Sequence, residues 1–497
     1  MIRGVDVLFL GTFAEGELGT FVFTEGRCFM AYDYDVIIIG SGPAGFSCAI
    51  QSSKFGKKVL IVEANPENLG GSWINTGTVP SKSLREAAKL IHKFHTQFAD
   101  QEKMKPYQRF KMDDILRYKR SILSEKNRKV KSDLIKHNIE TARGYGRLVD
   151  GHTVEVTLQG GQSVTYTAGF VMISTGSRPG KPEQFEIDHE VVVDYRSILE
   201  LTHIPRRLVI VGGGVIALEF ATIFSALGTR ITILSAEKGF LPFLDDEIGA
   251  ELRGILQRKT IQLTTECTIE KVEKNDFRTS MEVFYRTASE PDRLQVVETD
   301  HVLHVGHKVP NSEGLGLAEI GVVLSERKTI GVDEGFRTAV PSVFAAGDVI
   351  GFPSQASASF VQGRIAACKM FDMGEDEIAA NVPYGIYSIP EIAGIGLTEA
   401  DAERQGLKYK VGKISYSNLT QADIGHVDDG MLKMIFDADS LRILGVHIIG
   451  EQASDLIHLG QCVMQHGGTI EYFLKNVLNY PSYGEAYRMA AFDGLSE

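Results

Sequence analysis

Apolar residues along the chain gather into two blocks built on one plan. From residue 32 the apolar run DYDVIIIG meets a glycine turn, SGPAG, then an amphipathic stretch to Gly56 and a second apolar run, KKVLIVEA. Unbroken apolar runs of this length mark strands covered on both faces, and strand, glycine turn, helix and strand in about 30 residues make a βαβ unit. The same order returns at RRLVIV, GGGVIALEF and TRITILS, residues 206–235. The stretch Leu208 to Gly228 carries a single charge, Glu219, but its three successive glycines read as a phosphate turn rather than a membrane span. Between the two blocks, residues 83–140 read as helical, with Leu84, Ala87, Ala88, Ile91 and Phe94 at helical spacing. The Lys/Arg-rich run between Glu102 and Lys136, within this region, is interrupted by acids and reads as a solvated helix face. Val154, Val156 and Leu158 alternate between the Asp150-Gly151 and Gly160-Gly161 turns as in a hairpin strand. Further strands lead to VFAAGDV at 343–349, and the remainder reads as a mixed α+β domain.

Composition sharpens this picture in three places. Glycine stands at 51 against 15 prolines in 497 residues, an excess without low complexity that suits phosphate-cradling turns. A net charge of -12 argues against a nucleic-acid partner. The five cysteines, Cys28, Cys48, Cys267, Cys368 and Cys462, lie far apart, with no CxxC and no metal-ligand spacing, which suits a reducing cytoplasm and predicts no metal site. Residues 1–30 fit neither a signal nor a transit peptide and are expected to be a leader outside the fold, with translation starting at Met30.

Each glycine turn has a chemical reason. In the first, Gly40 permits the tight turn, Gly42 admits a pyrophosphate to the backbone, and Gly45 lets helix and strand pack; Pro43 and Ala44 open a helix whose N-terminus favours an anion. Glu63, at the end of the second strand, is placed for ribose hydroxyls. In the second turn Gly212, Gly214 and Ala217 form the equivalent fingerprint, and Ser235 stands where an NAD site usually has an acid, with Glu237 and Lys238 just beyond. Two dinucleotide sites in one chain imply electron transfer between a nicotinamide and a flavin.

Several strings resemble the flavoprotein disulfide reductase family from Tyr32 to Ser496: GSGPAG, the segment Gly70 to Lys82 ending in GTVPSK, STGSRP (174–179), GGG (212–214), AAGDV (345–349) and YPSYGE (480–485). The resemblance implies two Rossmann-like α/β domains, one for FAD and one for NAD(P), and an α+β C-terminal domain that forms a homodimer. The expected boundaries are 31–185 with 301–350 for FAD, 186–300 for NAD(P), and 351–497 for the interface. FAD would be held by Gly40, Gly42, Pro43, Ala44, Gly45, Glu63, Gly71, Thr175, Gly176 and Gly347, with Asp348 on the ribityl chain. Lys82 would pair with Glu219 near flavin N5, and a helix starting near Ser354 would aim at the flavin pyrimidine. Gly212, Gly214, Ala217, Ser235 and Glu237 would hold the nicotinamide nucleotide.

The departures from that family set the expected reaction. Its redox pair, Cys-x4-Cys before PSK, is here Trp73 and Thr78, expected about one helical turn apart, and its His-Pro…Glu base is Tyr480-Pro481…Glu485. Within the family, GDVIGFPS, YGIYSIPEI and NYPSYGEAYR resemble the soluble pyridine nucleotide transhydrogenases. The implied reaction is hydride exchange between NADPH and NAD through FAD, with Lys82, Glu219 and Thr78 at the reacting centre and both nucleotides as substrates. A diaphorase passing electrons to a quinone, or a nucleotide sensor without turnover, remain alternatives. Because Trp73 and Thr78 offer no thiol, turnover of lipoamide, oxidised glutathione or mercuric ion, followed as NAD(P)H oxidation, is expected at background; thiol-dependent turnover would refute this reading.

Overall fold

The structure is a computed structural model that describes residues 7–12, 18–24, 27–30, 32–65, 67, 69–97, 111–275, 280–374, 381–427 and 429–496. Within the expected leader, the backbone of Val7–Thr12, Leu18–Thr24 and Arg27–Met30 forms a three-stranded antiparallel sheet. From residue 32 onward the chain contributes to two compact units.

The first unit comprises Met1–Asn75, Glu125–Arg178 and Val309–Glu377. Its sheet runs in the order Val343–Ala345, Ser163–Ile173, Tyr34–Ile39, Val59–Glu63, Glu140–Leu148 and Thr153–Leu158. The first five pair in parallel, and Thr153–Leu158 closes the edge antiparallel. Val36, Ile37, Ile38 and Ile39 are all buried, as an apolar strand in the middle of a parallel sheet requires. Val154 and Val156 point inward, as their alternation predicts. The Pro43–Lys54 helix packs closely on the Ala356–Phe371 helix, where a Cβ on Gly363 would come within 2.0 Å of the Ala44 carbonyl oxygen. The sequence-based boundary at 350 therefore falls inside this unit.

The second unit comprises Thr76–Ser124, Pro179–Lys308 and Ile378–Glu497. Its parallel sheet has the order Val192–Asp194, His301–His304, Arg207–Val211, Arg230–Leu234 and Gln262–Thr264. A five-stranded antiparallel sheet, Tyr384–Ile386, Glu391–Gly396, Ile443–Gly450, Met431–Asp437 and Tyr409–Ser415, carries the α+β part of the chain. The Thr78–Gln97 helix sinks Leu84 and Ala88 into the same core as Leu218 and Ala221 of the Val215–Ala226 helix. Met112–Lys136 forms the second helix of the region expected to be helical; residues 98–110 lie outside the described residues. No helix among the described residues is long and apolar enough to cross a membrane.

One buried cation joins the elements of this unit. Lys433, fully buried on Met431–Asp437, donates to Asp245 Oδ1 at 3.0 Å and Glu399 Oε2 at 2.6 Å, and lies 2.9 Å from Glu247 Oε2. Asp245 also caps the Asp246–Arg258 helix by accepting from Glu247 N–H. Burial alone would raise the Asp245 carboxyl, but the Lys433 bond and charge outweigh it and hold it below the usual range. A carboxyl lowered in this way stabilises the fold above its unfolded pKa, and the contribution is lost as pH falls through the folded value. Lys433→Met strands Asp245 and is expected to cost about 3–5 kcal/mol of unfolding free energy, with a weaker loss of stability below about pH 4 than in the parent. Denaturant titrations at neutral and acid pH check both; equal stability of variant and parent would refute it.

Candidate functional site

At Gly40 and Gly45 the first glycine turn leaves no room for side chains, whereas a Cβ on Gly42 would come no closer than 3.9 Å to its nearest neighbour. Gly40 sits at φ +103°, and a Cβ there would lie 2.5 Å from the Ser174 carbonyl oxygen. A Cβ on Gly45 would lie 2.0 Å from Gly40 O, so the third glycine is what lets the helix rest on the strand. Gly71 folds back until its Cβ position is 3.0 Å from Gly42 Cα. Pro43 opens the Pro43–Lys54 helix behind Gly42, no side chain caps that terminus, and no acid stands in its first turn. The leading amides of such a helix need partners, which a phosphate supplies.

Glu63 closes this loop from the neighbouring strand. Its carboxylate accepts from Ser41 N–H at 3.0 Å, Ser41 Oγ at 2.5 Å and Asn65 N–H at 2.9 Å. Beside it opens a cavity of about 240 Å³ lined by Leu69, Lys131, Thr141, Ala142 and Arg143 as well as Glu63 itself. None of those five neighbours belongs to a motif, and sequence reasoning had read Lys131 only as part of a solvated helix face. Further along, Thr175 and Asn311 exchange side-chain to backbone hydrogen bonds, and Ser177 Oγ donates to Asp348 Oδ2 at 2.8 Å. Gly347, at φ +83°, donates its N–H to the buried Gln362 side chain at 2.9 Å, which fixes the turn entering Asp348. Gly176 faces open space. The helix expected near Ser354 begins at Ala356, also without a side-chain cap.

Trp73 lies half-buried in the short Ser72–Asn75 helix, edge-on to Phe360 with ring centroids 5.0 Å apart. Thr78, exposed, opens the Thr78–Gln97 helix, so the two residues sit on different helices rather than one turn apart on a single helix. Tyr480 is exposed with its hydroxyl 2.8 Å from Thr420 Oγ1, and Glu485 is buried against Arg488.

The second glycine turn repeats the first. Gly212 sits at φ +132° with its Cβ position 2.2 Å from Val305 O, whereas one on Gly214 would meet nothing within 4 Å. The Val215–Ala226 helix behind Gly214 again lacks a side-chain cap and a first-turn acid, and Ala217 is buried in it. Ser235 is turned inward. It is fully buried, its Oγ accepts from Glu237 N–H at 3.2 Å, and a Cβ on Gly213 would lie 2.0 Å from that oxygen. Its hydroxyl therefore supports the loop from beneath. Glu237 and Lys238 are exposed just past the carboxyl end of the strand, where nucleotides bind such sheets; Arg230 stands at the opposite end.

One turn into that helix, Glu219 is buried to 7% exposure. Lys82 Nζ donates to its Oε2 at 2.8 Å and Tyr387 N–H to its Oε1 at 2.9 Å, so both carboxylate oxygens are partnered across residues far apart in sequence. The Tyr387 ring lies over the ammonium, 4.7 Å from centroid to Nζ. Tyr387 falls within YGIYSIPEI, yet its place in an apolar string had suggested no role for it.

Two uncapped helices behind glycine turns, each with an acid nearby, are a donor set suited to two dinucleotides. The pyridine nucleotide-disulphide oxidoreductase family model matches residues 34–363, and that family's dimerisation domain matches 382–491. The chain belongs to the pyridine nucleotide-disulphide oxidoreductase family. It is 37% identical over 468 residues to a soluble pyridine nucleotide transhydrogenase of Pseudomonas aeruginosa (strain LESB58) and 36% identical to one of Pseudomonas putida (strain W619). Each alignment covers 94% of this chain and 99% of the relative. In fold, this oxidoreductase is similar to the HOCl-induced flavoprotein disulfide reductase RclA from Escherichia coli, with a TM-score of 0.82 and 24% identity over 92% of this chain and 99% of that one. It is also similar to LpdA from Mycobacterium tuberculosis, with a TM-score of 0.83 and 22% identity over the same shares.

The two glycine environments in the first unit separate packing from space. Gly45→Ala is expected to abolish flavin loading, because its methyl collides with backbone. Gly56→Ala, at φ +72° with nothing within 4 Å of the added methyl and just past the far end of the same helix, is expected to load flavin normally at a backbone cost of about 1–2 kcal/mol. Flavin absorbance per mole of purified protein checks the pair; equal loading in both variants would refute the assignment.

Proposed function

We propose that this protein is a soluble pyridine nucleotide transhydrogenase that exchanges hydride between NADPH and NAD through FAD, without a redox-active disulfide. The observation that carries the reading is the pairing of two intact dinucleotide turns with Trp73 and Thr78 at the places where disulfide reductases hold thiols. The names and extent of the relatives support the same activity. FAD, when bound, accepts a hydride from one nicotinamide nucleotide and gives it to the other.

The chain's own residues bind and orient. Gly40, Gly42 and Gly45, with the helix amides behind them, receive the FAD pyrophosphate, and Gly71 backs the turn. Glu63 exchanges its Ser41 contacts for ribose hydroxyls, and the cavity beside it takes the adenosine end. Asp348, steadied by Ser177, holds the ribityl chain, with Thr175, Gly176 and Gly347 shaping its path. Gly212, Gly214 and Ala217 receive the nicotinamide nucleotide, and Glu237 and Lys238 meet its ribose. Lys82 supplies positive charge to the reduced state, kept in place by Glu219. Thr78 fills a thiol's place without nucleophilic chemistry, so exchange needs positioning rather than an acid or base. The protein works as a homodimer in the cytoplasm, through the C-terminal domain.

The test is anaerobic. Protein reduced with NADPH is offered thio-NAD, a quinone or buffer alone, and flavin absorbance is followed. Reoxidation by thio-NAD within seconds is expected. Reoxidation by the quinone alone would favour a diaphorase, and none at all a nucleotide sensor; either overturns the proposal. With Glu237 exposed at the strand end, NADH is expected to reduce the flavin at least as well as NADPH, and a large NADPH preference would show that Lys238 dominates.

A further inference from the structure

Residues 387–391 are fastened to two helices at almost every position. Tyr387 N–H donates to Glu219 Oε1 at 2.9 Å, and Ile389 N–H donates to Thr222 Oγ1 at 3.0 Å. Ser388 O accepts from Arg85 Nε and Nη2, both at 3.1 Å, and Glu391 Oε1 accepts from Arg85 Nη2 at 2.8 Å. The anchors are spaced three apart, Lys82 with Arg85 on one helix and Glu219 with Thr222 on the other, so each helix presents one face to the segment. With the backbone pinned at its own amide and at the next two residues, the Tyr387 ring has a fixed place over Lys82 Nζ. The ammonium thus has a carboxylate on one side and an aromatic face on another, and its side chain is only 27% exposed.

We propose that Tyr387 is a positioning residue for hydride exchange: its ring shields the Lys82 ammonium from water while its amide holds Glu219, so that the charge keeps one place as nucleotides come and go. This rests on the reading of Lys82 as a charge acting on the reduced flavin. A hydrated ammonium on a mobile stem is screened, whereas one held under a ring face in a water-poor setting keeps its field.

Two measurements test it. The first needs no flavin: the rate at which an N-hydroxysuccinimide ester acylates Lys82, read by peptide mass spectrometry with exposed Lys238 as internal standard. Tyr387→Leu is expected to raise that rate about tenfold, the scale of a lost cation–π contact, and Tyr387→Phe, which keeps the ring, to restore the parent rate. The second uses FAD-loaded protein equilibrated with a reference dye. Tyr387→Leu is expected to shift the two-electron equilibrium about tenfold toward oxidised flavin, about 30 mV, with FAD content unchanged. Unchanged acylation in Tyr387→Leu overturns the shielding. Raised acylation with an unmoved dye equilibrium, while Lys82→Met moves it, overturns the positioning role. If Lys82→Met also leaves the equilibrium unmoved, the reading of Lys82 fails and this proposal with it, and the acylation data tell that failure from the other.

Discussion

A carboxylate in the middle of an apolar helix has to be compensated. Glu219 is the single charge between Leu208 and Gly228, and at its depth a carboxylate without partners would destabilise the helix. The second unit meets that demand by bringing Lys82 from one helix and the Tyr387 amide from a distant loop onto its two oxygens. Much of the unit's architecture follows. The Thr78–Gln97 helix has to lie along Val215–Ala226, and the 387–391 segment has to cross both. Breaking such a pair from one side is costlier than never having built it, so the three elements stay together.

The two turn-forming regions were legible in the sequence because everything they need is local. An apolar strand, a glycine whose Cβ would strike backbone and a helix lie within about 20 residues, and φ of +103° at Gly40 and +132° at Gly212 is what the glycines are there to permit. The hairpin strand at Val154 and Val156 was legible for the same reason, since its alternation alone sets which side is buried. The Lys82–Glu219 contact was accessible through family resemblance, because no spacing rule links residues so far apart.

What escaped sequence reasoning was set by contacts between distant segments. Gly363 against Ala44 draws the Ala356–Phe371 helix into the first unit, and a glycine in a helix announces no partner. Lys131 and Arg143 line the cavity beside Glu63 only because a helix and a strand converge there. Tyr387 looked like one more apolar position. Ser235 stands at a strand end that usually faces a nucleotide, yet strand position alone does not say whether a short hydroxyl turns outward or under the loop.

That inward turn of Ser235 bears on how coenzyme choice can evolve. In a site where the discriminating acid is also the strand-end residue, changing preference disturbs the frame of the phosphate turn. Here the frame is held by a buried hydroxyl, while the side chains proposed to meet the ribose stand at 237 and 238, exposed on the loop beyond. Selection can exchange charges at those positions as cellular nucleotide pools change without touching the fold. If those two positions read the ribose as proposed, the separation makes preference for one phosphate more or less a surface trait, adjustable without repacking the core.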